Sequence, residues 1–370
     1  MARLNRLSIR DFRNVGRADL AFPQDGVVII GDNGHGKTNL LEAIYYFQLL
    51  RSMRGARDAD LVSFGATAFH LHATVATHGE HELSAAFGRG RKKIVVDGSE
   101  AKRLSVALGS LPAIVISPRD VALVSGSPSE RRRFLDVALA LTSPRYLNAL
   151  QKYRGALTRR NAALRGVARG AQSDESVAVW EPALAESGAV LLSERVAWMD
   201  THEQEFARLA RAIGEPDVMT MHYATSVANP RDAAQELSDT LARKRSLDIR
   251  RGLTHAGPHR DDIVLEIDGH DLRTFGSGGQ QRTAAITLRL LEAETLKTHS
   301  GSDPLLLLDD PFAELDVRRS SHILALLGET LTGQTILTVP RAGDIPSDLS
   351  SLARWHISDG VIAESHAHVK

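Results

Sequence analysis

The sequence predicts an α/β protein, a mixed sheet with an antiparallel β segment beside it and a helical arm inserted between the two halves of the chain. Three observations predict it. The apolar run Val27–Ile30 stops at Gly31 and opens into a glycine-rich loop followed by helical periodicity. A second apolar run, Leu305–Leu308, near the other end of the chain, stops at two aspartates. Between them, from about Ser129 to Gly214, apolar residues recur at helical spacing.

Taken in order, Leu4 to Ile9 partly alternates apolar with polar residues and reads as a strand. Val27–Ile30 reads as a more buried strand, and Lys37 to about Leu50 as a helix with Leu40, Leu41, Ile44, Phe47 and Leu50 on its apolar side. Phe69, Leu71, Ala73 and Val75 alternate with polar residues, Leu83, Ala85 and Phe87 do likewise, and Ile94–Val96 meets the tight-turn pair Asp97-Gly98; this is an antiparallel β segment. Ala113–Ile116, ending at Pro118, is a further buried strand. Ser129 opens one helix, and a long one starts near Pro182, since proline suits a first helical turn. Leu184, Leu191, Trp198, Phe206, Leu209 and Ile213 lie on its apolar side, and its span of roughly 45 Å at 1.5 Å per residue makes an arm, not a coiled-coil rod. Gly170–Ser176 is the loop inside this region. After Leu253, Ile263–Ile267, Leu305–Leu308, Thr335–Val339 and Ala353–Ile357 read as strands and Thr283–Lys297 as a helix. The expected domains are 1–120, the helical arm 121–250, and 251–370.

Composition narrows the class. With 370 residues, 43% of them hydrophobic, the chain can bury a sizeable core. It has no cysteine, which excludes disulfides, Cys-ligated zinc and thiol catalysis and fits a cytoplasmic location. The first residues lack an apolar signal region, and no stretch approaches the roughly 20 apolar residues of a membrane helix. Net charge is zero, so global charge is no argument for nucleic-acid binding. Basic residues nevertheless cluster at Arg51–Arg57, Arg89–Lys93, Arg131–Arg133, Lys152–Arg169 and Arg243–Arg251, and carboxylates at Asp303–Asp316.

The sharpest motif is Gly31-Asp32-Asn33-Gly34-His35-Gly36-Lys37-Thr38, which fits the P-loop pattern G-x-x-x-x-G-K-[ST] between a strand and a helix. The glycines let backbone N–H groups turn toward phosphate oxygens, and the helix N-terminus adds partial positive charge. Lys37 supplies a mobile cation for the β- and γ-phosphates, and Thr38 a hydroxyl for Mg²⁺. Leu305–Leu308 followed by Asp309-Asp310 is a Walker B pattern, with Asp309 holding the Mg²⁺ shell. Asp310 stands where many such ATPases keep a glutamate that orients water, and the shorter side chain is expected to slow hydrolysis. Upstream, Gly276-Ser277-Gly278-Gly279-Gln280-Gln281-Arg282 opens a helix and resembles the S-G-G-Q signature of ABC-type ATPases. In that family the signature faces the γ-phosphate held by the other subunit's P-loop. Ala313-Glu314-Leu315-Asp316 follows at the distance of a D-loop.

Together these predict an ABC-type ATPase head with an inserted helical arm. The likeness extends further. Leu4–Arg17 with Phe12-Arg13-Asn14, GDNGHGKTNLLEA at Gly31–Ala43, SGSPSERRRFLD at Ser125–Asp136, THAGPHRDD at Thr254–Asp262, SGGQQRT and LLLLDDPFAELD resemble the RecF family, over essentially the whole chain. The resemblance implies an ATP-dependent homodimer. ATP and Mg²⁺ would be sandwiched between Gly31–Asn39 of one subunit and Ser277, Gly278, Gly279 and Gln280 of the other. Phe12-Arg13-Asn14 reads as a border to the adenine, with a purely structural turn as its alternative. The resemblance also implies a clamp on single-stranded and gapped or junction DNA, slow ATP hydrolysis, and RecO and RecR as partners, with no membrane. A transporter's nucleotide-binding subunit, or an SMC-like chromosome ATPase, is the alternative. Both fit less well: the span between P-loop and Walker B is long for the first, and heptads are missing for the second.

The sequence departs from the expected pattern in three ways. Thr338 and Pro340 stand where the family tends to keep two threonines, no switch histidine is evident there, and Ser117-Pro118-Arg119-Asp120 occupies the region where a Q-loop glutamine is expected. Gly257–Asp262 reads as a structured turn, with a metal site as its alternative.

Overall fold

The structure is a computed structural model. It describes residues 1–370 except 231–232, 313–316, 331–332 and 366–370. The D-loop-like stretch therefore lies outside the described residues. The chain divides into two compact units, one of Met1–Asp120 with Glu292–Lys370, the other of Val121–Leu291.

In the first unit, β1 (Arg3–Phe12), β2 (Val15–Ala21), β4 (Ala68–Ala76), β5 (Glu80–Gly88), β6 (Arg91–Val96) and β7 (Ser99–Glu100) form a six-stranded antiparallel sheet in the order β2-β1-β4-β5-β6-β7. Alternation orders its inner face: Leu4, Leu7, Ile9, Phe12, Phe69, Leu71, Ala73 and Val75 are all buried. β3 (Gly26–Ile30) and β8 (Ala113–Ile116) belong to a second sheet, completed by β12 (Leu305–Asp309), β13 (Thr335–Val339), β14 (Ala353–Ser358) and β15 (Val361–Ser365). Its order is β15-β14-β3-β13-β12-β8, parallel throughout apart from β15. β3 is buried at every position, as a strand covered on both faces must be. Gly26 lets β3 approach β13 closely: a Cβ there would sit 1.7 Å from the Thr335 carbonyl oxygen. The helix Lys37–Leu49 carries Tyr46 against Phe12 and Phe69 in edge-on ring contacts at 6.4 and 5.6 Å, tying the antiparallel sheet to the P-loop helix.

The second unit is built on the helices Pro128–Thr142, Pro144–Ala168, Glu181–Ile213 and Ala233–Arg251. The predicted arm helix is real and runs for 33 residues from Glu181, with Pro182 in its first turn. This unit also holds a three-stranded antiparallel sheet of β9 (Met219–Ala224), β10 (Asp262–Ile267) and β11 (His270–Asp271), in the order β11-β10-β9. The expected domain boundary after residue 250 is therefore displaced. β10 pairs along its whole length with β9, so residues 251–291 pack with the helical unit. Among the described residues no helix is long and apolar enough to cross a membrane.

Candidate nucleotide-binding site

The parallel sheet brings the two distant motifs together. β3 leads into Gly31–Thr38, β12 ends at Asp309, and β13 lies between them with Thr338 in register with Ile29 on one side and Asp309 on the other. Gly34 and Gly36 have φ of 88° and 109°, which opens the loop ahead of the helix beginning at Lys37. Thr38 Oγ1 lies 2.8 and 3.1 Å from the two carboxylate oxygens of Asp309. Thr338 Oγ1 donates to Asp309 Oδ1 at 3.0 Å, so two hydroxyls orient this carboxylate. Lys37 is almost fully buried, and its ammonium donates to the carbonyl oxygens of Gly31 and Asp32 within the loop itself. Burial pushes its pKa below the ordinary lysine value, against the opposing pull of Asp310, Asp309 and Asp32.

A cleft of about 440 Å³ opens over this array. Asn33, Gly34, Gly36, Lys37, Thr38 and Asn39 line one side, and Asp309 and Asp310 another. Asp310 has φ of 48°, and its N–H is tied to the Thr338 carbonyl at 3.1 Å, which fixes the backbone from which its carboxylate projects. Among the described residues no cluster of three or more His, Cys, Asp or Glu side chains could hold a metal alone. The hydroxyl of Thr38 and the carboxylate of Asp309 are nevertheless adjacent hard oxygen donors, of the kind that could hold Mg²⁺ with phosphate and water completing its shell.

Several predicted residues do other work. Arg13 donates from Nε to Glu42 Oε2 at 2.9 Å and from Nη1 to the Asp60 carbonyl at 3.1 Å. Glu42, on the P-loop helix, is fully buried and also accepts from Arg54 and Ser52. Burial alone would raise its pKa; the donors outweigh that and hold it below the usual carboxylate range. Asn14 donates to the His35 carbonyl at 3.2 Å and accepts from Asn39 at 2.7 Å. Asn14 braces the loop, Arg13 braces the helix that follows it, and neither is among the residues lining the cleft. His35 is held from the β14–β15 turn: the Asp359 N–H donates to His35 Nδ1 at 2.9 Å, and the Gly360 N–H to the His35 carbonyl at 3.0 Å.

Sequence reasoning passed over Thr338 as a hydroxyl for Asp309, and Arg54 and Arg119 as cleft residues. The first had a signal, a threonine near the end of the apolar strand Thr335–Val339; the arginines lay inside an undifferentiated basic run and an unassigned turn.

The signature stretch belongs to the second unit. Ser277 and Gln280 form a reciprocal capping box at the start of the helix Gly278–Ser300. The Ser277 N–H donates to Gln280 Oε1 at 2.9 Å, and the Gln280 N–H to Ser277 Oγ at 3.3 Å. Gln280 Nε2 donates to Asp217 Oδ2 at 3.0 Å, so the glutamine is committed to the fold. Ser277 and Gly278 are exposed, and the first N–H groups of a helix have no partner within it.

Two further motifs meet in the same unit. Arg131 pairs with both carboxylate oxygens of Asp262 at 2.8 and 2.7 Å and also donates to three main-chain carbonyls, and Arg132 donates to the Asp261 carbonyl at 2.6 Å. His259 and Tyr153 are hydrogen-bonded at 2.6 Å. Gly257–Asp262 is thus a structured turn locked to the helix Pro128–Thr142. The basic run Lys152–Arg169 is split: Lys152, Arg159, Arg165 and Arg169 are exposed, whereas Arg160 is fully buried against Asp248 and Glu181.

A family model for the RecF/RecN/SMC N-terminal domain matches residues 3–345. The chain is 34% identical to the DNA replication and repair protein RecF of Exiguobacterium sp. over 97% of its length and 98% of the relative's. It is also 34% identical to the RecF of Roseiflexus castenholzii over 96% and 98%. The chain belongs to the RecF family. A solved recombination mediator RecF of the RecFOR pathway with ATP superposes with a TM-score of 0.89 at 29% identity, covering 98% of each chain. The Smc head of Pyrococcus furiosus bound to the C-terminal domain of ScpA matches with a TM-score of 0.56 at 16% identity over 99% and 96% of the two chains, a likeness of fold.

Proposed function

We propose that this RecF-family chain is an ATP-dependent DNA-binding protein of recombinational repair and replication restart, acting in the cytoplasm. ATP and Mg²⁺ drive two copies into a head-to-head dimer that closes on DNA at gaps or single-strand/double-strand junctions. Weak hydrolysis of ATP to ADP and phosphate resets it, and partners of the RecO and RecR type assist recombinase loading.

The observation that carries this reading is the Thr38–Asp309 pair beside a glycine cradle that ends in Lys37. It is an anion-binding helix N-terminus with a divalent-cation pair at its edge, in a family with a relative solved in complex with ATP. Thr38 and Asp309 would hold Mg²⁺, which supplies charge neutralisation at the β- and γ-phosphates. Lys37 exchanges its loop carbonyls for phosphate oxygens. Asp310 accepts a hydrogen bond from the attacking water and aligns it. Ser277 and the open N–H groups of Gly278 and Gly279 offer a second anion site, which a second copy brings to the γ-phosphate.

Sedimentation of the full chain with and without ATP and Mg²⁺ tests the assembly. The wild type is expected to double in mass with ATP, Lys37→Ala to lose ATP binding, and Ser277→Arg to bind ATP as a monomer. A wild type that stays monomeric in saturating ATP and Mg²⁺ overturns the dimer. Fluorescence anisotropy on gapped, single-stranded and duplex DNA, with ATP or ADP, tests the DNA step. Equal binding with either nucleotide would remove ATP control.

A further inference from the structure

One cation on the nucleotide cleft has no assigned work. β8 and β12 are neighbouring parallel strands with Ile116 in register with Leu308. The chain leaving β12 delivers Asp309 and Asp310 to the cleft, and the chain leaving β8 delivers Pro118 and Arg119 to the same cleft. The turn is rigidly made. The Ser117 N–H donates to Asp120 Oδ2 at 2.6 Å, the Asp120 N–H to the Ser117 carbonyl at 3.0 Å, and Pro118 restricts the backbone between them. Asp120 is buried, so the base of the Arg119 side chain is fixed while its end is exposed.

The two cleft arginines differ in how their charge is used. Arg54 donates to Glu42 and Asn39. Among the described residues, the Arg119 guanidinium makes no hydrogen bond or ion pair, although two carboxylates line the same cleft. A guanidinium is charged at every relevant pH and presents five donors suited to phosphate oxygens. Asp309 and Asp310 set two negative charges against the terminal phosphates, and Lys37, held by the Gly31 and Asp32 carbonyls, is the only lysine among the residues lining the cleft.

We propose that Arg119 contacts the γ-phosphate of ATP held in its own subunit and stabilises the charge that builds there during hydrolysis, as an arginine finger supplied in cis. The inference rests on the ATPase reading of this cleft. In the step it serves, a water oxygen forms a bond to the γ-phosphorus. The bond to the β,γ-bridging oxygen breaks with its electron pair remaining on ADP, and the water proton leaves with the phosphate product. Arg119 donates to γ-phosphate oxygens throughout and exchanges no proton. It occupies the turn where a Q-loop glutamine is absent, and gives that turn a group that can tell ATP from ADP.

The test uses full-length Arg119→Ala and Arg119→Lys, with ATP and ADP affinities measured in Mg²⁺ and hydrolysis followed in a single turnover. Arg119→Ala is expected to hydrolyse ATP on the order of 10³-fold more slowly, the size of effect that arginine fingers have. It should also lose about tenfold of its preference for ATP over ADP, an ordinary loss for one charged hydrogen bond. Arg119→Lys should recover part of both, and added guanidinium ion part of the hydrolysis. The loss of preference should persist in a Ser277→Arg background, where a second copy cannot dock. Unchanged hydrolysis and preference would overturn the proposal. So would an equal loss of ATP and ADP binding, which marks a collapsed turn, or disappearance of the effect in the Ser277→Arg background, which marks a contact to the other copy. A wild type that binds no ATP sinks the ATPase reading itself, a separate result.

Discussion

Thr338→Val isolates one hydroxyl of the proposed magnesium site. Thr338 is fully buried, and its Oγ1 lies 3.0 Å from Asp309 Oδ1 and 3.4 Å from the Leu308 carbonyl. The single hydroxyl hydrogen goes to the nearer, charged acceptor. Valine removes that donor at almost constant volume and sets a methyl group against the carboxylate oxygen. Hydrogen bonds to charged groups contribute ~1.5–3 kcal/mol, and part of that loss will appear as reduced stability of the fold. Asp309 keeps its second hydroxyl, from Thr38, so the carboxylate is loosened and not released. With ~1.4 kcal/mol per tenfold, a loss of about half that energy at the metal weakens Mg²⁺-dependent ATP binding by roughly three- to tenfold. Calorimetric titration of ATP at graded Mg²⁺, with thermal unfolding in parallel, reads both parts. Binding in EDTA should be unchanged, and Thr338→Ser should restore the wild-type magnesium dependence. A valine variant with wild-type magnesium dependence, or a serine variant as impaired as valine, would refute the assignment of this hydroxyl to Asp309.

Gly36→Ala puts a Cβ 2.7 Å from Asn14 Oδ1 on a backbone with φ of 109°. A stability loss of about 1–3 kcal/mol and at least tenfold weaker ATP binding are expected, and a variant that melts and binds as the wild type would contradict the bracing role of Asn14. Arg160→Met leaves Asp248 buried without its guanidinium partner and Glu181 with only Arg245, and should cost about 3–5 kcal/mol in urea denaturation followed by tryptophan fluorescence; a loss below about 1 kcal/mol would show the pair to be dispensable. His259 is held neutral, its pKa pushed down to about 4 by burial, with Nε2 donating to the Thr254 carbonyl and Nδ1 accepting from Tyr153. Its folded pKa lies below its unfolded value of about 6.5, so its contribution is intact above that value and is lost as pH falls toward 4, by at most about 3 kcal/mol. The unfolding free energy of His259→Gln should fall less steeply than that of the wild type across this window; parallel slopes would refute it. Asp261, raised by burial, has the opposite sign and cancels in the comparison of the two proteins.

The parts of the fold legible in the sequence were those in which a local pattern had one physical meaning. Val27–Ile30 followed by glycines, Leu305–Leu308 followed by aspartates, and the spaced apolar residues of the arm each specify an element whose neighbours hardly matter. The brace on His35 is the opposite case. Asp359-Gly360 reads as an ordinary hairpin turn, and only the parallel pairing of β14 with β3 carries that turn to the P-loop. The boundary at residue 250 failed for a similar reason. β10 alternates as any half-buried strand does, and nothing within it says that its partner is β9 in the helical unit and not a strand of the larger sheet.

Basic runs show the same limit at the level of single side chains, and it bears on where DNA contacts should be sought. A guanidinium that is already paired has little left to offer a phosphate, because releasing it strands a buried carboxylate. Arg131 and Arg160 are consumed by Asp262 and Asp248, each partner far along the chain and invisible in the local run. The candidates that survive are those the fold leaves exposed, such as Lys152, Arg165 and Arg169 on or just after the helix Pro144–Ala168. If these meet DNA phosphates, replacing any one with alanine should weaken binding to every DNA about equally and lower the dependence of log affinity on log salt by roughly one unit per contact. An unchanged salt slope in a variant with all three replaced would move the DNA surface off this helix, and the other exposed basic runs, at the Arg89–Lys93 turn among them, would have to carry it.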